Sequence, residues 1–334
     1  MLLRLARILA ATTALALLVT TSVTAKETKS PVGRKVENFT LKDYRGKEHS
    51  LADYGDSKVV AIAILGTECP LVKLYAPRLK ALAEEYSKKG VTFLAINANR
   101  QDSITEIAAY ARRHELTFPI LKDLGNRVAD KLGAVRTPEV FLLDAKRYVR
   151  YHGRIDDQYG VGYIRENVSR RDLKIALDEL LAGKKVSEPK TAAVGCYIGR
   201  IRKPDANATV TYSNQIARLI QKRCVECHRD GEIAPFSLTK YEEVVGWAET
   251  IEEVMHDRRM PPWHADPKYS KFSNDRHVSS AELALISKWV AAGAPEGDPK
   301  DLPKPRTFVK GWQLPRKPDR VIPMSNTHFT VPAE

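Results

Sequence analysis

The stretch Lys58–Tyr75 reads KVVAIAILGTECPLVKLY, and its two halves decide the fold. The first half is an unbroken apolar run rich in Val and Ile, the mark of a strand buried on both faces. The second half opens at Cys69-Pro70 and runs into a helical pattern over 70–89, with Leu74, Leu79, Leu82 and Tyr86 on one face. Proline suits the first position of a helix, where its missing N–H is no loss. Cys69 therefore falls at or just before a helix N-terminus, where the helix dipole and unpaired N–H groups lower a thiol pKa. In a Cys-x-x-Cys site the second sulfur would stand at position 72, and there the chain has Val72. The question is where this thiol finds its second sulfur or its electrons.

Outward from that stretch, strand-like and helix-like runs alternate from Pro31 to about Gly183. VTFLAINA is a second strand, and SITEIAAYARRHE a second helix that Asp102 or Ser103 can cap. FPILKD leads into a short helix, NRVADKLGA, and EVFLLDA with VRYHGRI reads as a hairpin turning at Ala145-Lys146. RRDLKIALDELLAG closes the unit with a helix ended by Gly183. This order predicts an α/β domain over 31–185, a mixed sheet with flanking helices. Residues 186–205 are polar, contain proline and read as a connector. Over 206–300 the character changes to a small all-α unit: three helical stretches, Asn214–Cys227, Lys240–Asp257 and Ser280–Ala292, with no strand-like run among them. Residues 301–334 are rich in Pro and basic side chains and cannot bury a core alone.

The first 25 residues have the three parts of a secretory signal: Arg4 and Arg7, an apolar run over Ile8–Val19, and a small-residue cleavage site at Val23-Thr24-Ala25. The chain is therefore expected to be periplasmic or otherwise exported. The apolar run is short for a membrane span, and no span is expected once the signal is removed. Of 334 residues, 54 are Lys or Arg and 41 are Asp or Glu, a net charge of +13. The excess is scattered among acidic runs such as Ala83-Glu84-Glu85, and tyrosines do not interleave with a basic stripe. Nucleic acid is not an expected partner; an acidic protein or an anionic membrane surface is. Four cysteines, Cys69, Cys196, Cys224 and Cys227, are too few for a disulfide-stapled scaffold.

About seventy residues beyond Cys69 comes RTPEVFLLD, whose Thr137-Pro138 precedes a buried strand and is a place for a cis-proline beside the sulfur. Taken together, the strand, the Cys-Pro helix start, the second βα unit, the Thr-Pro and the hairpin resemble the thioredoxin-like redoxin family, which includes exported thiol–disulfide proteins and peroxiredoxins. The resemblance covers about 150 residues. It implies that Cys69 takes the reactive position and Thr137-Pro138 the cis-proline position. Two departures stand out. Val72 replaces the second cysteine of the thioredoxin pair. Gly66 and Ile62 stand where the peroxiredoxin pattern has Thr or Ser and Pro. Cys196, in TAAVGCYIGR, is the remaining thiol outside the C-terminal region. It can resolve a sulfenic acid on Cys69, join it in a disulfide, form an inert structural bridge, or be an ordinary half-buried cysteine.

RCVECHRDGEIAPFSL carries Cys224-x-x-Cys227-His228. Cysteines three apart on a helical turn point the same way, so both sulfurs can bind haem vinyl groups while the next residue, His228, reaches the iron. In an exported chain with no further cysteine pair nearby, this reads as c-type haem. The opposite axial ligand is sought in MHDRRMPPWHADP, which offers Met255, His256, Met260 and His264. Met260, followed by Pro-Pro, resembles the Met-Pro segment of small c-type cytochromes and is the first choice, with His264 second. The three-helix layout ending in LALISKWVAAGAPEGD resembles the same cytochrome-c-like family over 206–298, with Trp263 and Trp289 packing the core against the porphyrin. FVKGWQLPRKPDRVIPM and FTVPAE resemble the junction at which longer exported proteins continue into a copper monooxygenase-like module.

The expected function is that of an exported oxidoreductase joining the Cys69 thiol site to covalent haem c, with an electron-transfer protein or membrane electron chain as partner. Two alternatives stand beside it: a thiol peroxidase fed by the haem, and a plain electron carrier whose redoxin half only docks.

Overall fold

The computed structural model describes residues 30–263, 265–266, 268–309, 311, 316–323 and 325. The secretory-signal reading over 1–25, the candidate ligand His264 and most of the tail motif lie outside the described residues. Among the described residues, no helix is long and apolar enough to cross a membrane.

The apolar runs form a seven-stranded mixed sheet. Its strands are β1 (Thr40–Asp43), β2 (Glu48–Ser50), β3 (Val59–Ile64), β4 (Val91–Asn97), β5 (Ile120–Lys122), β7 (Glu139–Asp144) and β8 (Val149–Gly153), in the order β2-β1-β5-β4-β3-β7-β8. The short β6 (Arg136–Thr137) stands just outside it. β3 pairs with β4 in parallel and with β7 antiparallel, so the strand leading to Cys69 is central. Every residue of β3 is buried. Its alternate side chains serve two cores. Val59, Ala61 and Ala63 face α1 (Pro70–Ser87), α2 (Ile104–Arg113) and α4 (Asp172–Leu181), while Val60, Ile62 and Ile64 face α3 (Arg127–Leu132) and Leu41. The α/β thioredoxin-like fold read from the sequence is thus present. The β1–β2 hairpin is an addition to the expected strand set. Ser103, not Asp102, caps α2 through a reciprocal pair with Glu106.

Residues 186–205 differ from the expected polar connector. After a small hairpin of β9 (Tyr159–Gly160) and β10 (Tyr163–Ile164), the chain passes through α4 and then folds back. It forms β11 (Cys196–Tyr197), antiparallel to β6 with Cys196 opposite Thr137. A hydrogen bond from Ile198 N to the Val135 carbonyl extends this pairing. Buried amides fix the next turn: Asn99 Oδ1 accepts from Gly199 N at 3.0 Å and Asn126 Oδ1 from Ile201 N at 2.9 Å. The segment is held by backbone groups that would otherwise be buried without partners.

The C-terminal region packs α5 (Ala217–Arg223), α6 (Tyr241–Val245), α7 (Ala248–His256) and α8 (Ser280–Ala291) around its own core, with Ile216, Val244, Ile286 and Trp289 fully or nearly buried. A single π-helical turn, Tyr212–Ile216, precedes α5. The stretch 240–257, expected as one helix, is two, broken at Gly246-Trp247. A Cβ on Gly246 would stand 2.4 Å from the side-chain oxygen of Gln101, so the break lets this backbone approach the redoxin part. Trp289 joins the core and donates to the Pro295 carbonyl. Trp263 does not join it, and stands edge-on to Phe272 instead.

Candidate active site and the adjoining cleft

Cys69 is the N-cap residue of α1, with Pro70 at its first position, as the sequence indicates. The Thr137–Pro138 peptide is cis and lies against it, and the Cys69 thiol donates to the Thr137 carbonyl at 3.1 Å. The loop before the cysteine is clamped by Asp102, whose Oδ2 accepts from Thr67 N at 2.8 Å and from Asn97 Nδ2 at 2.6 Å. Gly66 belongs to this packing, since a Cβ there would stand 2.4 Å from Asn99 Nδ2. That explains why the larger residue of the peroxiredoxin pattern is absent.

The second sulfur comes from Cys196. Its thiol donates to the Cys69 sulfur at 3.0 Å, across 127 residues of sequence. The distance is about 1 Å beyond disulfide bonding distance. Gly195 makes this possible. Its φ of 150° lies in the region that favours glycine, and a Cβ would stand 2.0 Å from the Thr137 carbonyl oxygen.

The two thiols are electrostatically unequal. Burial pushes the Cys69 thiol up, but hydrogen bonds from the Cys196 side chain and backbone, and from the Val72 backbone, outweigh it and bring Cys69 down to about 6. Cys196 moves the opposite way, raised by its bond to Cys69 and by burial. Cys69 itself is fully buried. It is not the open, reactant-facing thiolate that a helix start suggests, because the β11 segment covers it. Reactants meet the half-buried Cys196 first.

Three further residues of the site carry no sequence motif. The Glu139 carboxylate accepts from Val135 N at 2.6 Å and Arg136 N at 2.9 Å, fixing the turn before the cis-proline, and it also pairs with the buried His152. Arg136 lies over the Tyr197 ring at 4.1 Å and donates to the Gly195 carbonyl at 2.7 Å. It also forms a two-point ion pair with Glu253 of α7, at 2.6 and 3.2 Å. This pair ties the cis-proline turn to the C-terminal region. A glycine immediately before a cysteine, at Gly195-Cys196, is the one local signal that could have exposed the arrangement.

Cys224, Cys227 and His228 follow α5 in a tight turn, with His228 N bonded to the Cys224 carbonyl at 2.9 Å. His228 Nδ1 stands 3.1 Å from the Phe236 carbonyl, so it carries the proton and leaves Nε2 with its lone pair. Burial lowers the His228 pKa and keeps the ring neutral. Burial also pushes the Cys224 thiol up to about 12. Cys224 and His228 border a cleft of about 330 Å³. Its walls include Phe236, Trp247, Met255 and Met260 on the helical side, and Pro70, Leu71 and Cys196 on the redoxin side. Met260 is partly exposed and joined to Pro261 by a cis peptide bond. His256 is exposed at the end of α7 and bonds Ser287. The structure thus brings Cys196 of the sulfur pair and Cys224 and His228 of the Cys-x-x-Cys-His turn to a single cleft.

Comparison with known proteins agrees with the redoxin fold of the N-terminal part. Residues 32–152 match the AhpC/TSA family. The thiol-disulfide oxidoreductase ResA of Geobacillus thermodenitrificans is 33% identical over 125 residues, covering 37% of this chain and 70% of that protein. The ResA of Geobacillus kaustophilus is 32% identical over 130 residues, 39% of this chain and 73% of the relative. Among solved structures, a hypothetical protein from Sinorhizobium meliloti 1021 is 32% identical, covers 52% of this chain and 96% of its own, and superposes with a TM-score of 0.48. The chain belongs to the AhpC/TSA family of redoxins, and it is an oxidoreductase.

Proposed function

We propose that the chain is an exported thiol–disulfide oxidoreductase whose working pair is Cys69 and Cys196, fused over 206–300 to a c-type haem unit of cytochrome-c-like kind. The observation that carries the reading is the 3.0 Å separation of two sulfurs with opposite acidities. A low-pKa thiolate is both the nucleophile and the better leaving group in disulfide exchange. Cys69 takes that part, Cys196 supplies the second sulfur, and Thr137-Pro138 shapes the floor beneath them. Export rests on the signal-like start of the sequence.

For the haem, the chain presents a suitable donor set around an apolar cavity. Cys224 lines it with Cys227 three residues on in the same turn, beside an imidazole whose Nδ1–H is engaged by a carbonyl and the Met260 thioether. Cys224 and Cys227 would hold the group covalently, His228 would ligate the iron through Nε2, and Met260 would ligate from the other side. When bound, the group supplies one-electron transfer, at a potential that Met ligation raises. Phe236 and Trp247, stacked 4.1 Å apart on the cleft, would wall it from water. The burial of Cys69 weighs against a peroxidase, whose thiolate must meet peroxide directly. The lowered Cys69 pKa weighs against a passive docking domain.

The test is intact-mass and absorption spectroscopy of the mature chain from a haem-ligating host. Expected are a coloured protein, haem mass retained on the Cys224–Cys227 peptide after denaturation, and a Cys69–Cys196 disulfide in the oxidised form. A colourless product rejects the haem unit, and an oxidised sample with both thiols free rejects the redox pair.

A further inference from the structure

The cleft has a sulfur wall and a haem-ligand wall. Cys196 packs against both the redoxin core and the helical core, and it lines the cleft together with Cys224, His228 and Met260. Cys69 is fully buried and lines no part of it. Among the described residues, the sulfur that faces the cleft from the redoxin side is therefore the partner thiol, 3.0 Å in front of the nucleophile. Resting on the haem reading above, we infer that the Cys69–Cys196 pair discharges its electrons one at a time into the cleft through the Cys196 sulfur, making the chain a converter between two-electron thiol chemistry and one-electron transfer.

The difficulty in such a conversion is the state between the two electrons, and the geometry addresses it. Cys196 loses its S–H proton to water at the open side of the cleft and one electron to an acceptor reached through the cleft. The Cys69 thiolate, already in contact, shares a lone pair with the electron-poor sulfur, giving a half-formed S–S bond that carries one negative charge. Loss of the second electron completes the bond. One thiolate and one thiol thus become a disulfide, with one proton and two electrons released. Two equivalents of a one-electron acceptor of the ferricyanide class take up the electrons, and an external dithiol, itself oxidised to a disulfide, restores the pair. Cys69 is suited to this because it enters as a thiolate near neutral pH, so its lone pair is available without a further proton loss. The turn after β11, bonded at Gly199 and Ile201, keeps Cys196 from leaving its station.

The experiment is an anaerobic titration of the mature full-length chain, pre-reduced with a phosphine for the sulfurs and dithionite for the iron, and desalted. Ferricyanide is added while the haem band and the alkylatable thiols at Cys69 and Cys196 are followed together. The expected uptake is about three one-electron equivalents per chain, one for the iron and two for the sulfurs, with both thiols lost. Cys196→Ala is expected to take one equivalent and keep Cys69 alkylatable. The Cys224→Ala/Cys227→Ala double variant, which has no covalent haem, is expected to lose its thiols at least tenfold more slowly. A coloured native chain that takes one equivalent and keeps both thiols overturns the inference alone. So does thiol loss that is as fast in the double variant as in the native chain. A colourless native chain overturns the haem reading, and this inference with it.

Discussion

At the scale of single residues, the chemistry of Cys69 is a contest between burial and hydrogen bonding. An apolar surrounding favours the neutral thiol, and the donors from Cys196 and Val72 favour the thiolate; the donors win. The thiol is protonated below its pKa and ionised above it. The ionised fraction of Cys69 in the reduced protein, read from its Cβ chemical shift by NMR, should therefore rise with pH through about 6 and level off. An ordinary cysteine would rise through about 8.5. In Cys196→Ala the strongest donor is lost while most of the burial remains, so the midpoint should move up by at least one pH unit, equivalent to about 1.4 kcal/mol. An unmoved midpoint would mean that Cys196 is a bystander. Cys69 was legible in the sequence because a Cys-Pro junction between a buried strand and a helix is a local pattern. Cys196 was legible only as a candidate partner among other readings, because nothing local joins positions 69 and 196.

Among elements, the β11 segment decides whether there is a site at all. It reaches the cis-proline turn only because Gly195 lets its backbone pass beside the Thr137 carbonyl. Gly195→Ala should force β11 off β6 and separate the sulfurs while the seven-stranded sheet stays intact. The expected result is a drop of at least about tenfold in the equilibrium constant for forming the Cys69–Cys196 disulfide, about 1.4 kcal/mol. Glutathione titration would measure it, with an unchanged far-ultraviolet circular dichroism spectrum as the control. A disulfide of native stability in the variant would show that the close approach is dispensable. The same segment marks the limit of sequence reading. Strands β3, β4 and β7 and helices α1, α2 and α4 follow from apolar periodicity, which reports burial directly. The β1–β2 hairpin is short and largely polar, and 186–205 is held by amides of Asn99 and Asn126; neither leaves a periodic trace. The break between α6 and α7 answers to Gln101, a residue far away in sequence.

For the whole molecule, the question is whether the two cores act as one body. They meet through Cys196, through Tyr197 N bonded to Thr250 at 3.0 Å, and through the Arg136–Glu253 pair. The ion pair is the most informative of these, because both side chains are about four-fifths buried and each has other obligations. Arg136 also holds the Gly195 carbonyl, and Glu253 also meets Arg259 beside the Met260 turn. Removing one partner leaves the other charge poorly solvated, which costs more than the pair contributes relative to an apolar replacement. Arg136→Met should therefore loosen the helical region by about 2 kcal/mol, a value below that for a fully buried pair because of the residual exposure. Calorimetry of the full chain should then show the helical region melting ahead of the redoxin sheet. The double variant Arg136→Met/Glu253→Met should recover much of the loss, since it strands no charge. If the single variant melts like the native chain, the pair is not what joins the two cores, and the shared cleft must be held by the packing around Cys196 and the Tyr197–Thr250 bond.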